Sequence, residues 1–469
     1  MPFRRPPMRM ARLLPLLLVL LLAGTATAQD KRLVAGIVVE GNKRTKERII
    51  LRELTFREGD TLTTDELYAR IERSRQNLMN TALFNSVLLM PTYLPGTEVF
   101  VTITVNERWY LWPSPILQLA DPNFNTWWLT KDLSRINIGA YLYQYNFRGR
   151  NETLFAKVQF GYARQFGLRY KVPFFDKRQR WGFSVGAQYT EQREIAIGTR
   201  DNKRILFSEP DRNARNEQKA DVQFSLRRSH DLRHFLTLGF VQAAVTDTVA
   251  RQSPDYFNDG ATRTRYLALG YQLVHDERDS RAYPRDGHYI ELRLWRYGLG
   301  VLDEQAPGIS TAYATYKHWQ KLSERWTVSL TGRGKASLGG PVPYYVQQGL
   351  GYDDYIRGYE YYVIDGQHYA LGKADAAFAL LKPRQYTVDQ VPLEAFRTLY
   401  IALYLDAYVD AGYVWDELYD DRNFLAGSWQ SGYGAGLDLV TSYDQVLRME
   451  YSWNVLGEGG LFLHFTQPF

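Results

Sequence analysis

The chain has 469 residues, 45% hydrophobic and 14% aromatic, with 34 tyrosines, no cysteine and a formal charge of +6. The absent thiols exclude disulfides, thiol catalysis and Cys-based zinc sites. Mean hydropathy is −0.38, and beyond the first turns of the chain nothing approaches the roughly 18–20 consecutive apolar residues of a spanning helix, so a membrane protein of this sequence has to be a β-barrel.

Arg4, Arg5, Arg9 and Arg12 precede an apolar run, Leu13 to Ala23, and Ala26-Thr27-Ala28 offers a small-residue cleavage site. These are the parts of a secretory signal peptide over residues 1–28. Removing its four arginines from the 57 basic side chains leaves 53 against 51 acidic ones, so the charge is no signature of a nucleic-acid partner.

Residues 29–108 read as a small α+β domain. Val34 to Val39 is a strand closed by Gly41-Asn42, and Thr45 stands where it can cap a helix running to about Glu53. Thr63 with Glu66 makes a capping box for a second helix, on which Leu67, Ile71 and Leu78 share a face. Phe84 to Met90 and Val99 to Val105 supply two more strands, giving the order strand, helix, helix, strand, strand. Glu107 to Pro113 is a hinge; Trp109, Tyr110 and Trp112 would either anchor at a bilayer interface or pack the domain against a barrel mouth.

Residues 109–469 give repeated half-polar strands, about sixteen of them. Trp326, Val328 and Leu330 face away from Arg325, Thr327, Ser329 and Thr331; Leu447, Met449, Tyr451 and Trp453 face away from Arg448, Glu450, Ser452 and Asn454. Charges repeating on one face and aromatics on the other fit a transmembrane barrel with a polar lumen. The long gaps at 194–216, 249–261, 337–366 and 413–430 fall at one end. Residues 382–396 break the pattern and receive no role.

Two stretches single themselves out. Tyr355 to Gly366 reads Y-I-R-G-Y-E-Y-Y-V-I-D-G after a Gly/Pro-punctuated loop, and Thr398 to Gly412 alternates, with Tyr400, Tyr404, Asp406, Tyr408 and Asp410 on its polar face. A carboxylate on an inner wall needs water or a cation, and Gly358 lets the backbone at Arg357 approach such a wall. Arg357 is expected to bind Asp410 bidentately, with Asp406 as a secondary lumen carboxylate. Such a two-membered lock would tolerate exchange of its charges.

Catalytic patterns are absent: there is no HExxH, G-x-S-x-G or P-loop, and His230 and His234 lie across a turn. The Asp406/Asp410 pair fits a salt-bridged wall better than a glycosidase. No enzymatic activity, cofactor or metal is expected.

I-R-G-Y at 356–359 with V-D-A-G at 409–412 resembles the paired loop and strand motifs of the BamA/TamA-like outer-membrane insertase superfamily, the bacterial surface antigen family. The phrases G-N-K-R-T, L-R-E-L, E-G-D-T-L and L-F-N-S-V resemble its periplasmic POTRA module, in a single copy. The terminal alternation of Leu461, Leu463 and Phe465 up to Phe469 resembles the C-terminal assembly signal of outer-membrane proteins. Asp276-Glu277-Arg278-Asp279 with Pro284 and Gly287 resembles a recurring turn and reads as solvated and charge-paired. The resemblance implies a 16-strand all-β barrel behind a POTRA domain, with loop 337–366 folded inward and locked through Ile356, Arg357, Gly358, Tyr359, Asp410 and Gly412. It further implies the outer membrane as location, unfolded outer-membrane or secreted polypeptides as clients, and periplasmic accessory subunits or chaperones as partners. The function implied is insertion or translocation through a laterally opening barrel. A dedicated secretion pore and a passive channel are the alternatives.

Overall fold

The computed structural model describes residues 30–119, 136–209, 211–418 and 423–466. The expected leader, residues 1–28, and Phe469 lie outside them. An N-terminal domain comprises β1 (Lys31–Glu40), α1 (Glu47–Leu51), β2 (Thr61–Thr63), α2 (Thr64–Met79), β3 (Phe84–Tyr93) and β4 (Glu98–Glu107), with sheet order β2-β1-β4-β3. The capping box forms as the spacing suggests: the Glu66 N–H donates to Thr63 Oγ1 and the Thr63 N–H to Glu66 Oε2. Leu67, Ile71 and Leu78 are buried against the sheet.

Two details differ from the sequence reading. A three-residue strand, β2, separates the helices. Lys46 rather than Thr45 occupies the N-cap of α1, without a side-chain cap. Thr45 instead faces the barrel, its Oγ1 accepting from Asn146 Nδ2 at 2.8 Å and lying 3.2 Å from the Tyr110 hydroxyl.

The rest is one antiparallel sheet of sixteen strands, joined mostly by tight turns at the end beside the N-terminal domain. In chain order these are β5 (Leu111–Leu119), β6 (Ile136–Phe147), β7 (Glu152–Gly161), β8 (Ala163–Val172) and β9 (Trp181–Gln192). A separate hairpin follows, β10 (Glu194–Arg200) with β11 (Lys203–Ser208). The sheet resumes with β12 (Arg215–Arg227), β13 (Leu232–Val245), β14 (Arg263–Asp276), β15 (Gly287–Tyr297), β16 (Ile309–Lys321) and β17 (Trp326–Gly339). It ends with β18 (His368–Thr387), β19 (Thr398–Trp415), β20 (Trp429–Thr441), β21 (Val446–Asn454) and β22 (Gly459–Thr466). Each strand pairs with the next member of the sheet, so β9 meets β12, and among the described residues no ladder joins β5 to β22.

Alternation sorts the faces. On β21, Leu447, Met449, Tyr451 and Trp453 are exposed outward, whereas Glu450, Ser452 and Asn454 are buried on the lumen side. An outward apolar band with a polar interior is what a bilayer selects. No helix among the described residues is long and apolar enough to span.

The N-terminal domain seats on the barrel's near end through several turns. Arg227, at the end of β12, holds Glu53 bidentately, both contacts at 2.6 Å. Arg108 holds Asp444 at 2.6 and 3.0 Å. The hinge aromatics take the packing alternative: Trp112 meets Tyr443 edge-on at 5.0 Å, and Trp109 and Trp112 both contact Phe396. Residues 382–396 thereby acquire a role. The β18–β19 pair runs past the barrel rim to Thr387 and Thr398, and its turn presents the Ala395 carbonyl to Asn85 Nδ2 at 2.6 Å. The 276–286 turn is likewise no free solvated loop. Asp276 is buried and held by Arg278 Nε at 2.7 Å, while Asn80 bonds the backbone of Arg278, Asp279 and Arg281.

Two expectations follow. Every barrel ladder lies between residues 111 and 466, so a chain lacking 29–108 is expected to form a heat-modifiable barrel in detergent. A truncated chain found only unfolded or aggregated would contradict that. Second, burial opposes ionisation of Glu53, but the Arg227 guanidinium, together with Arg52 and His230 nearby, outweighs it and holds the carboxyl down at about 2 from an ordinary 4.5. A depressed carboxylate contributes stability that is present in full above about pH 4.5 and lost as pH falls through about 2, here on the order of 3 kcal/mol. The docked domain should therefore loosen over that window, and less so in Glu53→Gln, as read by proteolysis of the hinge.

Candidate functional site

The 340–367 segment between β17 and β18 turns inward and crosses the lumen to the wall formed by β18 to β21. Arg357 is 3% exposed and Asp410 is fully buried. Asp410 Oδ2 accepts from the Arg357 backbone N–H at 3.0 Å and from Nε at 2.9 Å, while Oδ1 accepts from Nη2 at 2.5 Å. The guanidinium also stacks over the Tyr408 ring, 3.7 Å from its centroid.

The site is larger than a pair. Arg357 Nη1 donates to Asp375 at 2.7 Å and to Glu450 at 3.3 Å. Lys373 Nζ lies 3.2 Å from Asp410 Oδ2. Register explains the convergence: Lys373 is the cross-strand partner of Asp410, and Asp375 partners Tyr408. Two cations and three carboxylates are thus joined across four elements, with Arg357, Asp410 and Glu450 buried, Lys373 and Asp375 partly exposed, and Glu450 Oε2 without a hydrogen-bond partner among the described residues.

Backbone approach is close. The Arg357 carbonyl lies where a Cβ on Gly432 would be, so only glycine fits at that point of β20. Gly358 has φ +91° and rests on the Trp453 carbonyl, while Asn454 Nδ2 donates to the Gly358 carbonyl at 2.8 Å. Ile356 is buried against Gly412, and the Tyr359 hydroxyl donates to Gln430 at 2.9 Å. Asp406 is buried on the same face but outside this network, its Oδ1 lacking a hydrogen-bond partner among the described residues. Sequence reasoning missed Asp375, Lys373, Glu450 and Gly432 as members of the site; the available signal was their parity on strands near β19.

The loop also reaches the last strand. Tyr355 stacks on His464 of β22 at 5.6 Å, Tyr361 contacts Phe462, and the Tyr362 hydroxyl donates to Glu458 in the β21–β22 turn. His464 Nε2 in turn lies 3.3 Å from Glu450. Phe465, at the described end of the terminal signal, points outward and is exposed. The two remaining histidine candidates do not meet: His230 contacts the Arg52 carbonyl and His234 the Tyr271 hydroxyl.

Comparison with known proteins agrees with this architecture. A family described as the Omp85 superfamily domain matches residues 146–458, and a second, the surface antigen variable number repeat or POTRA, matches 33–108. Among solved structures, BamA from Haemophilus ducreyi lacking POTRA domains 1–3 is similar with TM-score 0.52 at 15% identity, over 93% of this chain and 84% of that one. CdiB from Escherichia coli is similar with TM-score 0.53 at 13% identity, over 93% and 76%. No curated protein sequence matches the chain.

Proposed function

The chain belongs to the Omp85 superfamily, and from that premise we propose that it inserts polypeptides into the outer membrane by opening the seam between β5 and β22. A client strand would pair with the freed edge of β22, where main-chain hydrogen bonds give affinity with little sequence demand.

The observation that carries this reading is the one-sided support of β22. It is laddered to β21, unladdered to β5 among the described residues, and held from within by the 340–367 loop. Pro113 and Pro115 lie within β5 at positions of equal parity and remove two donors from one edge. The N-terminal domain beneath the mouth supports a route by which an unfolded client arrives. A secretion pore for one substrate would use the same domain, but it has no need of a terminal strand that can exchange partners.

Reconstitution tests the proposal. Liposomes containing the purified chain should raise the folded, protease-resistant yield of a urea-unfolded barrel client well above that of empty liposomes. Equal yields with and without the protein would refute it.

A further inference from the structure

We propose that His275, Glu277 and His288 bind a divalent first-row transition cation on the outer rim of the barrel, beside the N-terminal domain. His275, near the end of β14, and Glu277, the first residue past it, are two residues apart and share a face. The Glu277 N–H donates to the His288 carbonyl at 2.9 Å, which brings the third side chain alongside from the start of β15. Their parity is that of Ile290, Leu292 and Leu294, which are exposed outward, and opposite to that of lumen-side Asp276.

The distances suit coordination better than hydrogen bonding. His275 Nε2 lies 3.3 Å from one Glu277 oxygen and His288 Nδ1 3.6 Å from the other, and neither contact closes to a hydrogen bond. The two rings stack with centroids 5.2 Å apart, and one donor atom from each residue lies within 4.8 Å of the others. Donors bound at about 2.0–2.1 Å around a tetrahedral ion stand roughly 3.3–3.4 Å from one another. A modest inward movement of the two rings completes that arrangement, with water as the fourth ligand. Two imidazoles and one carboxylate favour zinc and its neighbours over magnesium or calcium, which take oxygen. All three side chains are 30–41% exposed, so an ion can enter from solution. Because the ligands come from both ends of the turn between two strands, no spacing motif announces them in the sequence.

The ion would staple β14 to β15 at the base of the 277–286 turn, whose backbone holds Asn80 of the N-terminal domain. Its place suggests a brace for the docked domain.

Calorimetric titration of Zn²⁺ into the tag-free, chelator-treated full-length chain in detergent tests the site, with excess Mg²⁺ as competitor. One zinc per chain is expected, undisturbed by Mg²⁺ and weakened roughly tenfold or more in both Glu277→Gln and His288→Ala. Heat-modifiable mobility on gels should be retained in both variants, which separates lost ligands from lost folding. Absence of stoichiometric binding, or equal binding in folded variants and the parent chain, would overturn the proposal.

Discussion

Arg357→Ala is expected to abolish most insertion activity while leaving a folded barrel. The guanidinium is the common partner of Asp375, Asp410 and Glu450, so its removal takes the shared cation from three neighbouring carboxylates and leaves Asp410 with Lys373 and Glu450 with the more distant Arg448. Breaking a well-desolvated pair costs roughly 3–5 kcal/mol, less where the lumen admits water. The strand ladders do not run through Arg357, so the barrel persists, but the loop loses its fixed place and with it the contacts from Tyr355 and Tyr362 to the last strand. Arg357→Lys should rescue little, because an ammonium cannot reproduce the bidentate fork. Asp410→Ala should be impaired as well, and Arg357→Ala/Asp410→Ala no more than the worse single variant. Additive losses would show that the two residues act separately. Exchanging the charges should fail, since an aspartate at 357 would face Asp375 and Glu450. Activity assays and protease sensitivity of the loop read these outcomes.

Locking the seam should have an effect of similar size. Cysteines scanned across the facing positions near Ile116 of β5 and Leu463 of β22 are expected to crosslink and to halt insertion, with recovery on reduction. The native chain has no cysteine, so background is clean. Neighbouring registers must be scanned because a one-residue slip reverses the face. The seam's near end is already clasped by Trp112 on Tyr443 and by Arg108 on Asp444. Opening therefore needs the hinge to release these contacts or to travel with them. Efficient crosslinking with full activity would contradict lateral opening.

Much of this architecture was legible because a bilayer enforces a period of two. β21 and β19 announce themselves by residues whose faces cannot be exchanged, and the Thr63/Glu66 box marks a helix start from local chemistry alone. The Arg357–Asp410 contact was legible for a related reason: a carboxylate fixed on an inner wall needs a cation, and an arginine beside glycine can reach it. What stayed hidden depends on register and docking. Asp375 and Lys373 join the site only through the pairing of β18 with β19, which turns a two-membered lock into a network and removes the case for charge exchange. Thr45 looked like a cap because local sequence cannot reveal Asn146 a hundred residues away. The 382–396 stretch received no role and the 276–279 turn read as solvated for the same reason, since their partners, Asn85 and Asn80, belong to another domain.

The most direct measurement combines the seam lock with its cellular consequence. Cells depleted of the parent chain and complemented with the β5–β22 cysteine pair would be compared, oxidised and reduced, by quantitative proteomics of the outer membrane. Broad loss of barrel proteins on oxidation, restored on reduction, is the expected result. Loss confined to one secreted polypeptide, or an unchanged membrane under an efficient crosslink, would contradict insertion through the seam.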